Sequence, residues 1–152
     1  MMVNRYFGSK EQLFAEVVAR AMQTPSILTH EIITSLTPGR DLATALIKQT
    51  KAGAIPLDGF LIMLQSASSE QAAKIGREQL EKHHQKAMTA ALKGALAPQR
   101  AAIVLSLIAG FQVMRQMIGL SALARANPET LVNILSSVFQ QLIDGKPVHH
   151  LP

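Results

Sequence analysis

The sequence contains no cysteine, which excludes disulfides, thiolate metal sites and cysteine nucleophiles from its 152 residues. Tryptophan is also absent, and aromatic residues make up only 4% of the chain. Alanine and leucine are abundant instead, a composition that favours packed helices over a β-sandwich. Charged residues are scarce at 16%, whereas hydrophobic residues reach 48%. This balance is too apolar for a disordered chain and leaves apolar surface to bury against a partner.

Motifs for catalysis are missing as well: the sequence has no HExxH, no Gly-rich phosphate loop and no GxSxG. Two histidine pairs, His83-His84 and His149-His150, raise the question of a metal site. Adjacent residues on a helix point about 100° apart, so neither pair is a ready chelator. We assign the first pair to a solvated helix face and the second to a flexible tail. The sequence therefore predicts no catalytic residue, no cofactor and no metal, and a helical enzyme subunit is the least favoured class.

The net charge of +5 permits contact with nucleic acid, but the 15 basic residues are spread along the chain rather than clustered. No charged-then-apolar targeting segment is visible at the N-terminus. The most apolar stretch, Ala101 to Ile118, is interrupted by polar residues such as Gln112 and Arg115 and is shorter than a membrane span requires. We therefore expect a cytoplasmic protein with no membrane partner, in which this stretch forms a buried helix.

Apolar residues recur at helical spacing along the chain, and no convincing strand pattern appears. The fold is therefore predicted to be an all-α helical bundle. Three shorter helices are expected at Ser9–Gln23, Ile27–Leu36 and Leu57–Ala67, and a further one has Asp41 in its first turn and ends near Gly53. A long helix capped by Ser68 or Ser69 is expected to reach about Lys93. The last two helices are expected from Pro98 to about Gly119 and over Pro128–Asp144, the latter capped by Asn127. A short connector is expected at Leu120–Ala126. Charges spaced i,i+4 between Glu70 and Lys82 predict pairing along a solvated face of the long helix.

The last two long helices are apolar over more than one stripe, which is more than the core of a monomer needs. Two such helices from each of two subunits would form a four-helix bundle around a two-fold axis. The alternative is that both helices lie deep in the core of one subunit. The residues predicted to lie at the dimer interface are Ile103, Leu107, Leu131, Leu135, Val138 and Leu142.

Near the N-terminus, the run from Val3 to Leu13 reads as a helix end, a tight turn at Gly8 and a new helix capped by Ser9. Gln12 stands at the capping-box spacing from Ser9. The Tyr-Phe-Gly-Ser-Lys-Glu-Gln-Leu string in this run resembles the segment that closes the helix-turn-helix of the TetR (tetracycline-repressor) family of transcriptional regulators. A looser similarity to the C-terminal domains of that family covers the segment from Ile118 to Ala124 and the following Asn-Pro-Glu.

The resemblance implies three segments: a remnant of the recognition helix at residues 1–8, a helical ligand-binding and dimerisation domain at 9–145, and a flexible tail at 146–152. It also implies that Asn4, Tyr6 and Lys10 contact the DNA backbone, as the matching residues do in the family. In a whole family member, helices that hold the reading helix precede this point. We therefore expect operator DNA to be a partner only if such a head is present. Otherwise Tyr6 and Phe7 are expected to pack against the following helix.

Members of the family also bind small effectors among their middle helices and pair through their last two long helices. The resemblance therefore implies a homodimer that binds a small hydrophobic effector. Gln112 is the sharpest pocket candidate, because a buried amide within an apolar helix needs a partner, either a ligand or the other subunit. Methionine and phenylalanine at helical spacing are more often plain core residues than pocket residues. The full set of pocket candidates is Phe60, Met63, Leu64, Gln65, Met88, Phe111, Gln112, Met114 and Arg115.

The sequence thus predicts a TetR-like, ligand-responsive repressor, represented mainly by its effector-binding and dimerisation domain. The alternative is a headless helical module that dimerises or binds small molecules without binding DNA itself. The intact mass of the native protein separates the two. A mass roughly 4–5 kDa above 16.4 kDa would indicate that Met1 is not the true start and that the earlier helices exist.

Overall fold

The computed structural model describes residues 9–22, 27–51, 53–54 and 63–146. Within those ranges the chain forms helices and turns, with no β-strand, which confirms the all-α prediction. The contacts divide the chain into two compact units. Unit 1 comprises Met1–Ser26 and Ile55–His84, and unit 2 comprises Ile27–Ala54 and Gln85–Pro152.

Unit 1 is built on the packing of helix α1 (Lys10–Met22) against helix α4 (Glu70–Leu80). The hydroxyl of Ser9 accepts a hydrogen bond from the backbone N–H of Gln12 at 3.2 Å, so the predicted cap of α1 is confirmed. Gly76 on α4 lies so close to Met63 that an added Cβ would meet its Cγ at 2.8 Å. A larger residue at this contact would therefore have to displace the side chain of Met63.

Unit 2 contains the remaining α-helices of the described chain and most of its buried apolar side chains. Its largest fully buried side chains include Phe139, Leu42, Leu46 and Met88. The elements are α2 (His30–Ile33), α3 (Pro38–Gln49), α5 (Lys86–Ala91), α6 (Ala97–Gln112), α7 (Ser121–Ala124) and α8 (Pro128–Asp144). Two π-helical segments, Glu81–Gln85 and Val113–Met117, follow α4 and α6 respectively.

Several predicted helix bounds need correction. The helix expected over Ile27–Leu36 is the single turn α2, because Thr29 caps its start and the Thr34 hydroxyl donates back to the His30 carbonyl. The helix expected over Leu57–Ala67 lies mostly outside the described residues, and only 63–66 are seen to be helical. The charged residues of α4 are exposed as expected, but no pair from Glu70 to Lys82 approaches within 4.0 Å, so the predicted i,i+4 pairing is wrong.

Helices α3 and α8 approach each other closely at Gly39. A Cβ at this position would lie 2.7 Å from the Ser136 carbonyl oxygen and 2.8 Å from the backbone of Gln140. The Gly39 N–H donates to Gln140 Oε1 at 2.9 Å. The next residue, Arg40, forms an ion pair with Glu129 at 2.5 Å. The first turn of α3 is therefore fixed against α8 by contact, hydrogen bond and charge.

Arg100 ties α8 to the start of α6. Its guanidinium is buried and donates to four backbone carbonyls, those of Ala95, Leu142, Ile143 and Lys93, at 2.5–3.0 Å. Two of these carbonyls belong to the last turn of α8, where no backbone N–H follows to satisfy them. A cation at a helix C-terminus also interacts favourably with the helix dipole. Sequence reasoning did not identify Arg100, since nothing local to α6 marks it as buried.

The helical run Ala97–Met117 is long and apolar enough to cross a membrane by length and composition, with a mean hydropathy of 1.3. One helix of this kind is weak evidence for a membrane span, because core helices of other proteins satisfy the same test. Only 28% of the window is buried within the chain, so the prediction of a buried helix holds for one side only. The other side presents apolar side chains to solvent.

We expect Arg100→Met to lower the free energy of unfolding by about 2–4 kcal/mol, because several carbonyls lose their donor inside the fold. Urea denaturation followed by far-ultraviolet circular dichroism measures the change. Arg125→Met is the matched control, since Arg125 is exposed and should shift stability by less than about 0.5 kcal/mol. Equal effects of the two substitutions would contradict a structural role for Arg100.

Candidate functional site

A polar cluster lies where α3 ends against the π-helical segment Val113–Met117. Arg115 Nη1 donates to the Ile47 carbonyl at 2.9 Å and to Thr50 Oγ1 at 3.0 Å. Thr50 in turn donates its hydroxyl proton to the Leu46 carbonyl at 2.7 Å. We call this set of Arg115, Thr50 and the α3 carbonyls the α3-end cluster. It places a permanently charged guanidinium at the negative end of a helix dipole.

The guanidinium of Arg115 is buried, with 8% of the residue exposed, and its burial lowers the pKa of the group from its ordinary value. The arginine remains protonated, since that ordinary value is far above neutral pH. Within the ranges that the structure describes, no carboxylate oxygen lies within 4.0 Å of it. The ring centroid of Phe111 lies 6.0 Å from the guanidinium carbon. The site therefore holds a buried cation that the described part of the chain does not neutralise.

Gln112 stands one turn before Arg115 and is also buried, with 7% exposed. Its side-chain amide makes no hydrogen bond to any residue that the structure describes, whereas Gln116 Nε2 donates to the Gln49 and Ala54 carbonyls at 3.3–3.4 Å. Among the described residues only Gln79 Oε1 is a fully buried polar side-chain atom without a partner. The Gln112 amide therefore carries no such penalty, but it remains available to a further polar group.

The other pocket candidates are distributed between the two units. Phe111 is half-buried on α6, Met88 is fully buried on α5, and Met114 is exposed in the π-helical segment. Met63, Leu64 and Gln65 belong to unit 1, where Leu64 and Gln65 are exposed and Met63 contacts Gly76. Phe60 lies outside the described residues. Of the nine candidates, the structure thus places four in succession along α6 and its π-helical extension: Phe111, Gln112, Met114 and Arg115.

An exposed apolar surface runs along the last two long helices. We define the apolar face as Ile103, Met114 and Met117 of α6 and its extension, together with Ile134 and Val138 of α8. Ile134 is 61% exposed and the others are between 38% and 48% exposed. Gly110 lies along α6 between Ile103 and Met114, and a Cβ there would meet nothing within 4 Å. Apolar patches of this kind commonly mark sites of protein association.

The predicted interface residues differ in how accessible they are. Ile103 and Val138 lie on the apolar face. Leu107, Leu135 and Leu142 are partly buried and pack against the core of unit 2. Leu131 is buried in that core. The sequence analysis missed Ile134, although its spacing of four residues from Val138 places the two on one helix face.

Of the predicted DNA contacts, Asn4 and Tyr6 lie outside the described residues. Lys10 is the first residue of α1, and its side chain is exposed. This geometry leaves the ammonium group free to reach a phosphate near the helix N-terminus.

The histidine pair His83-His84 does not lie on a fully solvated face as expected. Both side chains are half-buried in the π-helical segment Glu81–Gln85. Burial, and to a smaller extent the charge of His83, lowers the pKa of His84 below its ordinary value of 6.5. No group of three or more potential metal ligands occurs among the residues that the structure describes. His84 is thus suited to remain neutral near neutral pH.

A family model described as the tetracyclin repressor-like C-terminal domain matches residues 37–143. The matched region includes α3, the α3-end cluster, the apolar face and most of α8. A search of curated proteins gave no match. Domains of this family are all-α, act as regulators rather than enzymes, and generally dimerise and bind small-molecule effectors.

The lowered pKa of His84 predicts how the stability of the fold depends on pH. Above about pH 6.5 His84 is neutral in both the folded and the unfolded chain, so its stabilising contribution is complete. As the pH falls below that value, the unfolded chain binds the proton first and stability is lost. We expect the melting temperature to fall less between about pH 7.5 and pH 5.5 in His84→Gln than in the wild type. Scanning calorimetry tests this, with the exposed His30→Gln as control, and identical pH profiles for all three proteins would contradict it.

Proposed function

Because the chain belongs to the tetracycline repressor-like family, we propose that it is a ligand-responsive transcriptional repressor whose effector-binding and dimerisation region is residues 37–143. The observation that carries this proposal is the family match, which covers most of unit 2. Two features of the structure support it independently: an apolar face without a partner in the single chain, and a buried polar cluster with unused hydrogen-bonding groups.

We place the dimer interface on the apolar face of α6 and α8. Two helices from each subunit can pack as a four-helix bundle, which is the commonest way for paired long helices to bury such surface. A two-fold contact brings the same patch of both subunits together, so one self-complementary face suffices. Leu107, Leu135 and Leu142 lie at the inner margin of this surface and connect it to the core. Gly110 would allow the backbones of the two subunits to approach closely.

We place the effector at the α3-end cluster, with Gln112 and Arg115 as its polar contacts and Phe111 as an apolar one; Met114, a pocket candidate in the sequence analysis, lies on the apolar face instead. The mechanism is a population shift. An effector that binds one arrangement of the dimer more tightly favours that arrangement and disfavours the other. In a repressor with two DNA-reading heads, such a shift changes the spacing of the heads and lowers affinity for a palindromic operator. Lys10, with Asn4 and Tyr6, would then contact the DNA backbone.

This assignment places the protein in the cytoplasm, where its operator is accessible, and leaves the apolar side of Ala97–Met117 to the second subunit rather than to a membrane. No catalytic step is part of the proposed activity. The working form is a homodimer whose ligand is a small and largely apolar molecule.

The dimer is tested by Ile134→Glu, which places a charge in the middle of the apolar face. A dimer of the wild-type chain has a mass of about 33 kDa, twice 16.4 kDa, and light scattering coupled to size exclusion should give this value. We expect Ile134→Glu to run as a monomer, because burying an unpaired carboxylate is strongly unfavourable. Leu36→Glu is the matched control, since Leu36 is a fully exposed leucine that belongs to neither α6 nor α8. Dimerisation of both variants would remove the apolar face from the interface.

The effector site is tested by Gln112→Leu, with 1-naphthamide as a neutral probe. Loss of one amide hydrogen bond should weaken binding by about 0.5–1.5 kcal/mol, roughly two- to tenfold, while the molar mass of the protein stays that of the wild type. Isothermal calorimetry measures the affinity. Equal affinity of the two proteins would remove Gln112 from the pocket.

A further inference from the structure

We propose that the effector carries a carboxylate, which binds to the free edge of the Arg115 guanidinium. The inference rests on the proposed function, because it assumes that the α3-end cluster is where the effector binds. It adds the chemical class of the ligand: an organic acid with an apolar body.

The argument begins with the donors that Arg115 has left. A guanidinium has five N–H groups, and the structure uses only Nη1, which donates to Ile47 and Thr50. Neither Nε nor Nη2 donates to a residue in the described part of the chain. These two nitrogens form the edge of the guanidinium that binds a carboxylate through two parallel hydrogen bonds. The donor pair best suited to a carboxylate is thus the pair that remains unused.

Arg100 provides an internal comparison. It is buried to the same extent as Arg115, with 8% exposed, and it also lies at the end of a helix. All three of its nitrogens donate to backbone carbonyls: Nε to Ala95, Nη1 to Leu142 and Ile143, and Nη2 to Lys93. The fold therefore satisfies a purely structural arginine completely. Arg115, at equal burial, is satisfied on one nitrogen only.

The positive charge of Arg115 also favours a carboxylate as the ligand. The C-terminal end of a helix such as α3 supplies about half of a negative charge, so the dipole alone does not neutralise a guanidinium. The unused nitrogens of Arg115 are not among the fully buried side-chain atoms without a partner, but the partial burial of its charge is still unfavourable and an anion that pairs with it reduces this cost. The lowered pKa of Arg115 reflects this desolvation. A bound carboxylate would remove the penalty and would be held more tightly than a neutral group.

The residues around Arg115 indicate the chemistry of the remainder of the ligand. The Phe111 ring lies 6.0 Å from the guanidinium carbon, so the group that enters beside Arg115 passes an aromatic face. Gln112, one turn earlier, offers an amide donor and acceptor that the described residues leave unpaired. A carboxylate has oxygen atoms for both the arginine edge and this amide. An inorganic anion could pair with the charge of Arg115, but it has no apolar part to contact Phe111.

The test compares acids with their neutral amides in calorimetry on the wild-type chain at neutral pH. The pairs are 1-naphthoate with 1-naphthamide, and octanoate with octanamide, which keep the body and change only the charge. Two charge-assisted hydrogen bonds predict that each acid binds about ten- to a hundredfold more tightly than its amide. 1-Naphthyl phosphate and inorganic phosphate complete the set. Tighter binding of either phosphate than of the carboxylates would overturn the assignment of a carboxylate.

Arg115→Lys and Arg115→Met separate charge from geometry. Lysine keeps the charge without the two-pronged edge and should retain only part of the preference for acids, while methionine should abolish it. Because loss of Arg115 also removes its bonds to α3, Gln116→Met serves as the variant that removes another bond to the same helix end, from Gln116 Nε2 to the Gln49 carbonyl, without removing the guanidinium. It should keep the preference for acids. A preference that survives in Arg115→Met would overturn the inference.

Asp58 lies outside the described residues, and Asp58→Asn tests whether the chain supplies its own carboxylate. We expect this variant to bind the acids as the wild type does. A large gain in acid affinity on removing Asp58 would show that an internal carboxylate occupies the arginine edge, against the inference. Equal binding of acids and amides would overturn the inference but leave the effector pocket standing. Binding of neither class would contradict the pocket as well.

Discussion

The close approach of α3 and α8 at Gly39 is the constraint on which the arrangement of unit 2 depends. The backbone there has room for a hydrogen atom only, since a Cβ would come within 2.7 Å of the Ser136 carbonyl oxygen. With α3 fixed to α8 at its first turn, the far end of α3 must be held by something else. The α3-end cluster holds that end through the hydrogen bond of Arg115 to the Ile47 carbonyl. Arg100 binds the last turn of α8 to the start of α6. Three helices are thus tied to one another near their ends.

These contacts among α3, α6 and α8 connect the two parts of the proposed function, effector binding and dimerisation. Arg115 belongs to the extension of α6, and the same helix carries part of the apolar face on its outer side. A ligand that pairs with the free edge of Arg115 acts directly on the tie between α6 and α3. Any shift of α6 against α3 would change the surface offered to a second subunit. In the proposed function, effector binding and dimer geometry would both depend on this one helix, as a population shift between two dimer arrangements requires.

Much of the local structure could be predicted from the sequence because it depends on local chemistry. Asn127 and Pro128 start α8 as expected, with the Asn127 side chain accepting from the Glu129 N–H at 2.9 Å, and Gly145 ends it in a left-handed conformation. The features that were missed depend on residues distant in the chain. Arg100 is paired with carbonyls more than forty positions away, and periodicity gives no sign of such a partner. Gln112 was predicted as a buried amide, and its burial is confirmed, because a polar residue in an apolar helix is itself the signal.

The most direct test of the account is a distance between two copies of the chain. The absence of cysteine allows a single spin label to be attached at Leu36→Cys, a fully exposed position that is not one of the residues of the apolar face. Double electron–electron resonance on this protein reports the separation of labels on paired subunits. The account predicts one well-defined distance, which is lost when Ile134→Glu is added to the labelled chain. A signal that decays without any defined distance in the labelled protein would show that the chains do not pair, and would contradict the account.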